Sequence, residues 1–325
     1  MEPLIPVRDS VKQIDASSWL IGSKHILRRI QGPREGTYLR ANPSDGSYYT
    51  LSAGPDPQPD TSPLTPDGHA RQIHDAGDAS AVFSFNDEII IKIRLATDET
   101  RREPETLAFL AKQQQQQHLS FAIPAVLFHT EDAGKIYLIE PFIPGQRLNE
   151  AWWDMTEAEK EHMVTRVSQI CADTSAIRCN AMTGSDSSWM NPLQEIRDDR
   201  VETIQQQCEA LGMDCSVFVL AHNDLGPTNI IVDGDRVTVI DWEMAGYVPL
   251  EWVRTKFAIC GVLGVEHVYR EPGGEGPVRV ERSGEYPARV EKRLGEMGFP
   301  EVTAAYKRMY DLREVEWKKN RPWLQ

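Results

Sequence analysis

Two short apolar runs, 230–232 and 237–240, are separated by Asp233-Gly234-Asp235. An Asp-Gly turn between β-branched runs is a strong short-range hairpin signal, so this stretch predicts two antiparallel strands. A hairpin returns its end to its beginning. Asn229, just before the first strand, therefore folds back beside Asp241, just after the second. A third apolar run, 217–221, leads to Asp224 on the loop ahead of the hairpin.

The rest of the pattern is built around that stretch. Runs 81–85 and 88–94 predict another hairpin turning at Asn86-Asp87, and runs 123–128 and 135–143 add two more strands with 131–134 as their turn. Between these pairs, Glu103-Pro104-Glu105 opens a helix: proline suits a first turn, and acids suit the positive end of the helix dipole. The polyglutamine tract 113–117 ends it. From Asn149 onward helical spacing dominates. Thr156 with Glu157 and Glu159 marks a helix start, and Met163, Val164, Val167, Ile170, Cys171 and Ile177 keep a buried stripe. Further helices are expected over 192–211, 249–263, 287–297 and 300–319, with the glycine-rich, charged stretch 264–284 as a loop.

The first residues read differently. Val11, Ile14, Trp19, Leu20, Ile26 and Leu27 fall in loose helical order and predict one or two helices over 11–30. Pro55, Pro57, Pro59, Pro63 and Pro66 make 43–68 a flexible or polyproline-like connector. The chain thus divides into an extension with a proline-rich connector (1–70), a strand-rich lobe (71–143) and a helical lobe (144–325).

Chemistry enters at a few positions. Lys92 sits inside Ile89-Ile90-Ile91-Lys92-Ile93, a strand apolar on both faces, where an ammonium needs an anion unless it snorkels to water from an edge. Glu103 shares a helical face with Leu107 and Leu110 and is the favoured partner over Glu105. Asn229 and Asp241, facing one point, suit Mg²⁺, which takes one or two protein oxygens and leaves its other positions to water and phosphate. Asp224 suits the carboxylate that orients an attacking hydroxyl. Either acid taken singly is more often a solvated turn residue than a catalyst.

Composition narrows the class. A net charge of −14 argues against sequence-independent nucleic-acid binding, which needs clustered positive charge, and favours a cationic or neutral substrate. Hydrophobic content of 40% allows a sizeable core. Cys171, Cys179, Cys208, Cys215 and Cys260 show no zinc spacing and read as reduced thiols. No apolar run nears the roughly 20 residues of a membrane span. The first residues lack the features of a signal peptide, so a cytoplasmic location is expected.

His222-Asn223-Asp224-Leu225 with Asn229, then Ile240-Asp241-Trp242-Glu243, Ala245-Gly246 and Pro249, resembles the aminoglycoside phosphotransferase family from about residue 73 onward. In carrying Asn223 where the family usually has glycine, it is also similar to the related choline/ethanolamine kinases. The resemblance implies an α+β, two-lobed protein-kinase-like fold, with a small antiparallel-sheet N-lobe that binds nucleotide and a larger helical C-lobe. It implies ATP- and Mg²⁺-dependent transfer of the γ-phosphate to a hydroxyl of a small molecule. Lys92, fixed by Glu103, then holds the α- and β-phosphates. Main-chain groups near Glu140 and Phe142 meet adenine; Pro141 has no N–H, so the donor passes to Phe142 or a neighbour. Asn229 and Asp241 hold the metal, Asp224 orients and deprotonates the acceptor hydroxyl, and His222 braces the loop.

The same resemblance places a phosphate-covering loop at Gly77-Asp78-Ala79-Ser80. Trp242, Glu243, Tyr247, Glu251 and Trp252 read either as an aromatic-acidic box for an amine or as core packing, and Trp152-Trp153 either as a cap on the substrate cleft or as core packing. D-F-G and A-P-E signatures are missing, which disfavours a protein substrate. Choline/ethanolamine-like or specialised-metabolite kinase activity stands beside aminoglycoside phosphorylation, and a non-catalytic nucleotide-binding scaffold is the alternative of another class. Oligomeric state is left open.

Overall fold

A computed structural model of the chain describes residues 6–32, 38–42, 44–186, 201–260, 263–269 and 279–319. It contains two compact units: Met1–Ala111 with Ile123–Pro144, and Lys112–Ala122 with Gly145–Gln325.

The first unit holds two antiparallel five-stranded sheets. The N-terminal sheet comprises β1 (Val11–Asp15), β2 (Ser18–Ile21), β3 (His25–Gln31), β4 (Arg40–Asn42) and β5 (Ser47–Ala53), in the order β1-β2-β3-β5-β4. Strands therefore replace the helices expected over 11–30. The apolar positions only mimic helical spacing because two tight turns interrupt them. Asp15 Oδ1 accepts the Ser17 N–H at 2.8 Å in one turn. Gly22 adopts φ +62° in the next, where an added Cβ would lie 2.9 Å from the Tyr137 ring. The connector is not wholly free either: Gln13 and Ser62 exchange both backbone hydrogen bonds, at 2.9 and 2.8 Å, along the β1 edge.

The second sheet of this unit runs β6 (Ala70–Asp75), β7 (Ser80–Phe85), β8 (Ile89–Leu95), β10 (Lys135–Pro141), β9 (Phe128–Asp132). Asn86 and Asp87 turn the β7–β8 hairpin with φ of 50° and 54°, the left-handed values a two-residue hairpin loop requires. Helix α1 (Asp98–Gln116) begins five residues before the expected Glu103 and carries Pro104 inside it.

Strand parity then separates two faces. Ile89, Ile91 and Ile93 of β8 join Phe83, Phe85, Tyr137 and Ile139 in one core, together with Val7, Trp19, Leu27 and Tyr49 from the N-terminal residues. Residues before 70 thus cover the back of the second sheet. Polar contacts fasten the cover: buried Asp132 accepts from Ser23 Oγ at 2.6 Å and Lys24 Nζ at 2.7 Å, and buried Lys135 donates to Ser10 Oγ at 2.9 Å. The opposite face carries Lys92 and Arg94.

The second unit is mainly helical: α2 (Leu148–Ala151), α3 (Glu157–Ser175), α4 (Val201–Ala210), α5 (Leu250–Ile259), α6 (Glu285–Glu296) and α7 (Thr303–Lys319). Thr156 and Glu159 form a reciprocal capping box on α3, whose buried face carries the expected stripe from Met163 to Cys171, while buried Ile177 lies just past its end. Two small sheets sit among the helices: β11 (Gln146–Arg147) with β14 (Ile230–Asp233) and β15 (Arg236–Val239), and β12 (Arg178–Cys179) with β13 (Phe218–Ala221) and β16 (Gly246–Pro249). Strands β17 (Val265–Tyr269) and β18 (Arg279–Ser283) pair where a loop was expected over 264–284; the start of the helix expected at 192 lies outside the described residues. The α+β class expected from the sequence is the one observed. Among the described residues no helix is long and apolar enough to cross a membrane.

Candidate active site

The central hairpin forms as its turn residues dictate. Ile230 pairs with Val239, and the Ile240 N–H extends the ladder to the Asn229 carbonyl at 2.9 Å. Asn229 is therefore level with Ile240, and Asp241 is the next residue along. Asp241 takes a left-handed conformation, φ 68° and ψ 59°, which sharply redirects the chain out of the strand.

Strand β13 delivers the preceding loop to the same hairpin. The Asp224 N–H donates to His222 Nδ1 at 3.2 Å, so that nitrogen is the acceptor and Nε2 carries the proton donated to the Ile240 carbonyl at 3.0 Å. His222 braces the loop, as the sequence suggested. Its ring packs 4.6 Å from that of Trp242, which is fully buried, stacks on Phe121 and donates to the Val239 carbonyl at 2.9 Å. Asn223 sits at φ 62°, a region glycine enters freely and asparagine better than most residues. Its side-chain amide donates to the Met244 carbonyl at 3.0 Å, tying the loop to the segment beyond Asp241. The departure from the usual glycine is thus a compatible residue with one added bond.

Asn229 closes the arrangement. Its Nδ2 donates to both the main-chain carbonyl and Oδ2 of Asp224, each at 2.9 Å. The amide is fixed with Oδ1 turned away from Asp224. Burial pushes the Asp224 carboxyl above the usual carboxylate range and the neighbouring Asp241 carboxylate adds to this, while His222, the Asn229 hydrogen bond and the Lys256 ammonium oppose it. Lys256 also lines a small cavity with His222, Asn223 and Leu225; nothing in the spacing of the chain singled it out.

Within the first unit, Lys92 is buried and donates to Glu103 Oε1 at 2.9 Å, so the partner is Glu103 and not Glu105. A second carboxylate was missed: Glu140 Oε2 lies 3.2 Å from the same ammonium. Register explains it. Leu138 stands opposite Lys92, so Glu140, two residues on, shares its face of the sheet. That placement cannot be read without the pairing.

The adenine donor expected at Phe142 or a neighbour narrows to a neighbour. The Glu140 side chain is committed to Lys92, and the Phe142 N–H donates to the Glu88 carbonyl at 3.0 Å. Strand β10 keeps pairing with β8 past its last strand residue, which consumes that donor. Backbone groups alternate edges along a strand, so the Pro141 carbonyl and the Ile143 N–H point to the other edge. Pairing with β9 ends there at Ile139. The Gly77 N–H, expected to cover phosphate, is held by Asp75 Oδ1 at 2.8 Å in the β6–β7 turn.

For the three aromatic residues of the box, the choice falls to core packing. Trp242 and Trp252 are fully buried, and Tyr247 is nearly so, which makes them core rather than ligand wall. Trp152 is core as well, edge-on to Tyr286 with its N–H donated to Glu285 at 3.2 Å.

Known proteins bear on this geometry at several levels. The sequence model of the phosphotransferase enzyme family, APH, matches residues 72–252, more than half of the chain. A putative serine/threonine-protein kinase 040L of Invertebrate iridescent virus 3 is 39% identical over 56 residues, a match spanning 17% of this chain and 17% of that protein. The structure of the gentamicin complex of APH(2")-IIa aligns over 77% of this chain and 82% of its own, at 18% identity and TM-score 0.48. A choline/ethanolamine kinase family protein from Mesorhizobium loti aligns over 79% and 82%, at 14% identity and TM-score 0.41. At such values the structural likenesses say nothing of substrate.

Proposed function

The chain belongs to the phosphotransferase enzyme family, and from that premise we propose that it is a small-molecule kinase, using ATP and Mg²⁺ to phosphorylate a hydroxyl group. The observation that carries this reading is the Asn229 amide, which fixes Asp224 Oδ2 while the hairpin sets Asp241 next to the residue paired with Asn229. An amide oxygen and a carboxylate are the hard oxygen donors that Mg²⁺ takes. Buried Lys92, held by carboxylates, suits the nucleotide's α- and β-phosphates. The Pro141 carbonyl and Ile143 N–H suit an adenine edge.

Bound ATP and Mg²⁺ supply the phosphoryl group and neutralise its charge. The chain's own contribution is positioning and proton handling. Asn229 occupies Asp224 Oδ2, which leaves Oδ1 to accept the hydrogen of the acceptor hydroxyl. A carboxyl raised by burial is a stronger base than an exposed one and receives that proton as the oxygen attacks. His222 and Asn223 keep the loop from shifting, since each bonds the far side of the hairpin or its continuation. The net charge of −14 favours cationic acceptors, amino alcohols and aminoglycosides among them, in a cytoplasmic setting.

The test is ATP turnover against a panel of amino alcohols, aminoglycosides and hydroxylated metabolites, with and without Mg²⁺. Mg²⁺-dependent turnover with at least one acceptor is the expected result. Nucleotide binding with no turnover on any acceptor would instead favour a non-catalytic scaffold.

A further inference from the structure

Lys92 faces two carboxylates, and their origins differ. Glu103 reaches it from helix α1 at 2.9 Å, Glu140 from the neighbouring strand at 3.2 Å. All three side chains are more than nine-tenths buried. Arg94, two residues along β8, places its guanidinium 3.7 Å from the other oxygen of Glu103. Two cations and two anions meet here, with little water to screen them.

One carboxylate suffices to orient an ammonium for a phosphate, and Glu103 makes the shorter contact. Glu140 is held differently. Its strand is paired with β8 along the whole of β10, and the Phe142 N–H bond to Glu88 fixes the residues just beyond. Its backbone therefore cannot swing aside when a phosphate approaches Lys92. An arriving polyphosphate brings negative charge to a buried group and meets a carboxylate already seated on the lysine.

We propose that Glu140 is a specificity-determining residue that competes with the nucleotide's phosphates for Lys92, lowering affinity for phosphate-bearing nucleotides relative to the bare nucleoside; this rests on the nucleotide reading given above. Charge fixes the sign. Glutamine has the same shape without the charge, so Glu140→Gln removes one negative charge beside Lys92, and weak screening inside the protein makes that difference large. The base-binding edge, formed by the backbone of Pro141 and Ile143, is untouched by the change.

The experiment measures equilibrium binding of ATP and of adenosine by calorimetry to the full chain and to Glu140→Gln. The expected result is ATP binding tightened on the order of tenfold, with adenosine unchanged. ATP binding that is unchanged or weakened, with adenosine unchanged, overturns the competition and makes Glu140 an orienting or neutral partner. Weakened binding of both ligands also overturns it, since the base site is then what changed. If Glu140→Gln does not fold, Glu140→Asp is read instead: it draws the charge back by one methylene and should tighten ATP a few-fold while sparing adenosine. A wild-type chain that binds neither ligand sinks the nucleotide reading itself, and the competition with it.

Discussion

Asn229 donates its side-chain amide to Asp224 twice, to the main-chain carbonyl and to Oδ2, each at 2.9 Å. A residue expected as a metal ligand is therefore also the clamp on the expected base. Replacing Asp224 by Asn removes the proton acceptor but keeps the shape. Turnover should fall on the order of 10²- to 10⁴-fold, with ATP affinity within about twofold of wild type. Steady-state kinetics beside nucleotide binding checks both; undiminished turnover would refute the assigned role of Asp224.

Asn223 stands at φ 62° with its amide on the Met244 carbonyl. Asn223→Gly keeps the backbone relaxed and loses one hydrogen bond, so a stability loss of about 1 kcal/mol is expected. Asn223→Val adds a β-branched residue in a left-handed conformation and should cost about 1–2 kcal/mol more. Urea unfolding of the two variants separates the contributions. A valine variant as stable as the glycine variant would count against backbone conformation as the reason for asparagine.

Asp132 links the N-terminal sheet to β9. Burial works to raise its carboxyl, but hydrogen bonds from Lys24 and Ser23 outweigh it and hold the group below the usual carboxylate range. A folded-state value below the unfolded one contributes stability above the unfolded pKa, ordinarily about 4, and loses it as pH falls through the folded value. Stability should therefore decline below pH of about 4, in part through this residue. Asp132→Asn should be less stable than wild type at neutral pH, with the gap narrowing toward low pH. Thermal melts across pH 2–7, a window set by these roughly known carboxylate values, test the sign; a gap that widens in acid would reverse it.

Residues before 70 share their core with β7, β8 and β10 through Val7, Trp19, Leu27 and Tyr49. Deleting residues 1–66 would uncover Phe83, Phe85, Ile91 and Ile139 together, an apolar face that soluble proteins seldom expose. The truncated chain should bind a hydrophobic dye and lose cooperative unfolding. A well-folded truncation with full nucleotide affinity would show the N-terminal sheet to be dispensable.

Local signals were the ones that could be read in advance. The Asp233-Gly234 turn, Lys92 in an isoleucine-rich strand and the Thr156/Glu159 cap each act over a few residues, where turn geometry and helix period leave little choice. The N-terminal sheet was misread for a related reason. Its apolar residues imitate a helical period across two turns, and only pairing with distant β5 and packing against β8 select strands.

What the chain's own order of residues determined is the hairpin, the loop before it and thereby the meeting of Asp224, Asn229 and Asp241. Hydrogen bonds between nearby residues suffice for that. The tertiary structure alone decided that Glu140 sits on Lys92, that the Phe142 N–H is spent on Glu88, and that Trp242 and Trp252 are core. Strand register sets the first two, and burial against residues remote in the chain sets the third; neither leaves a mark in local sequence.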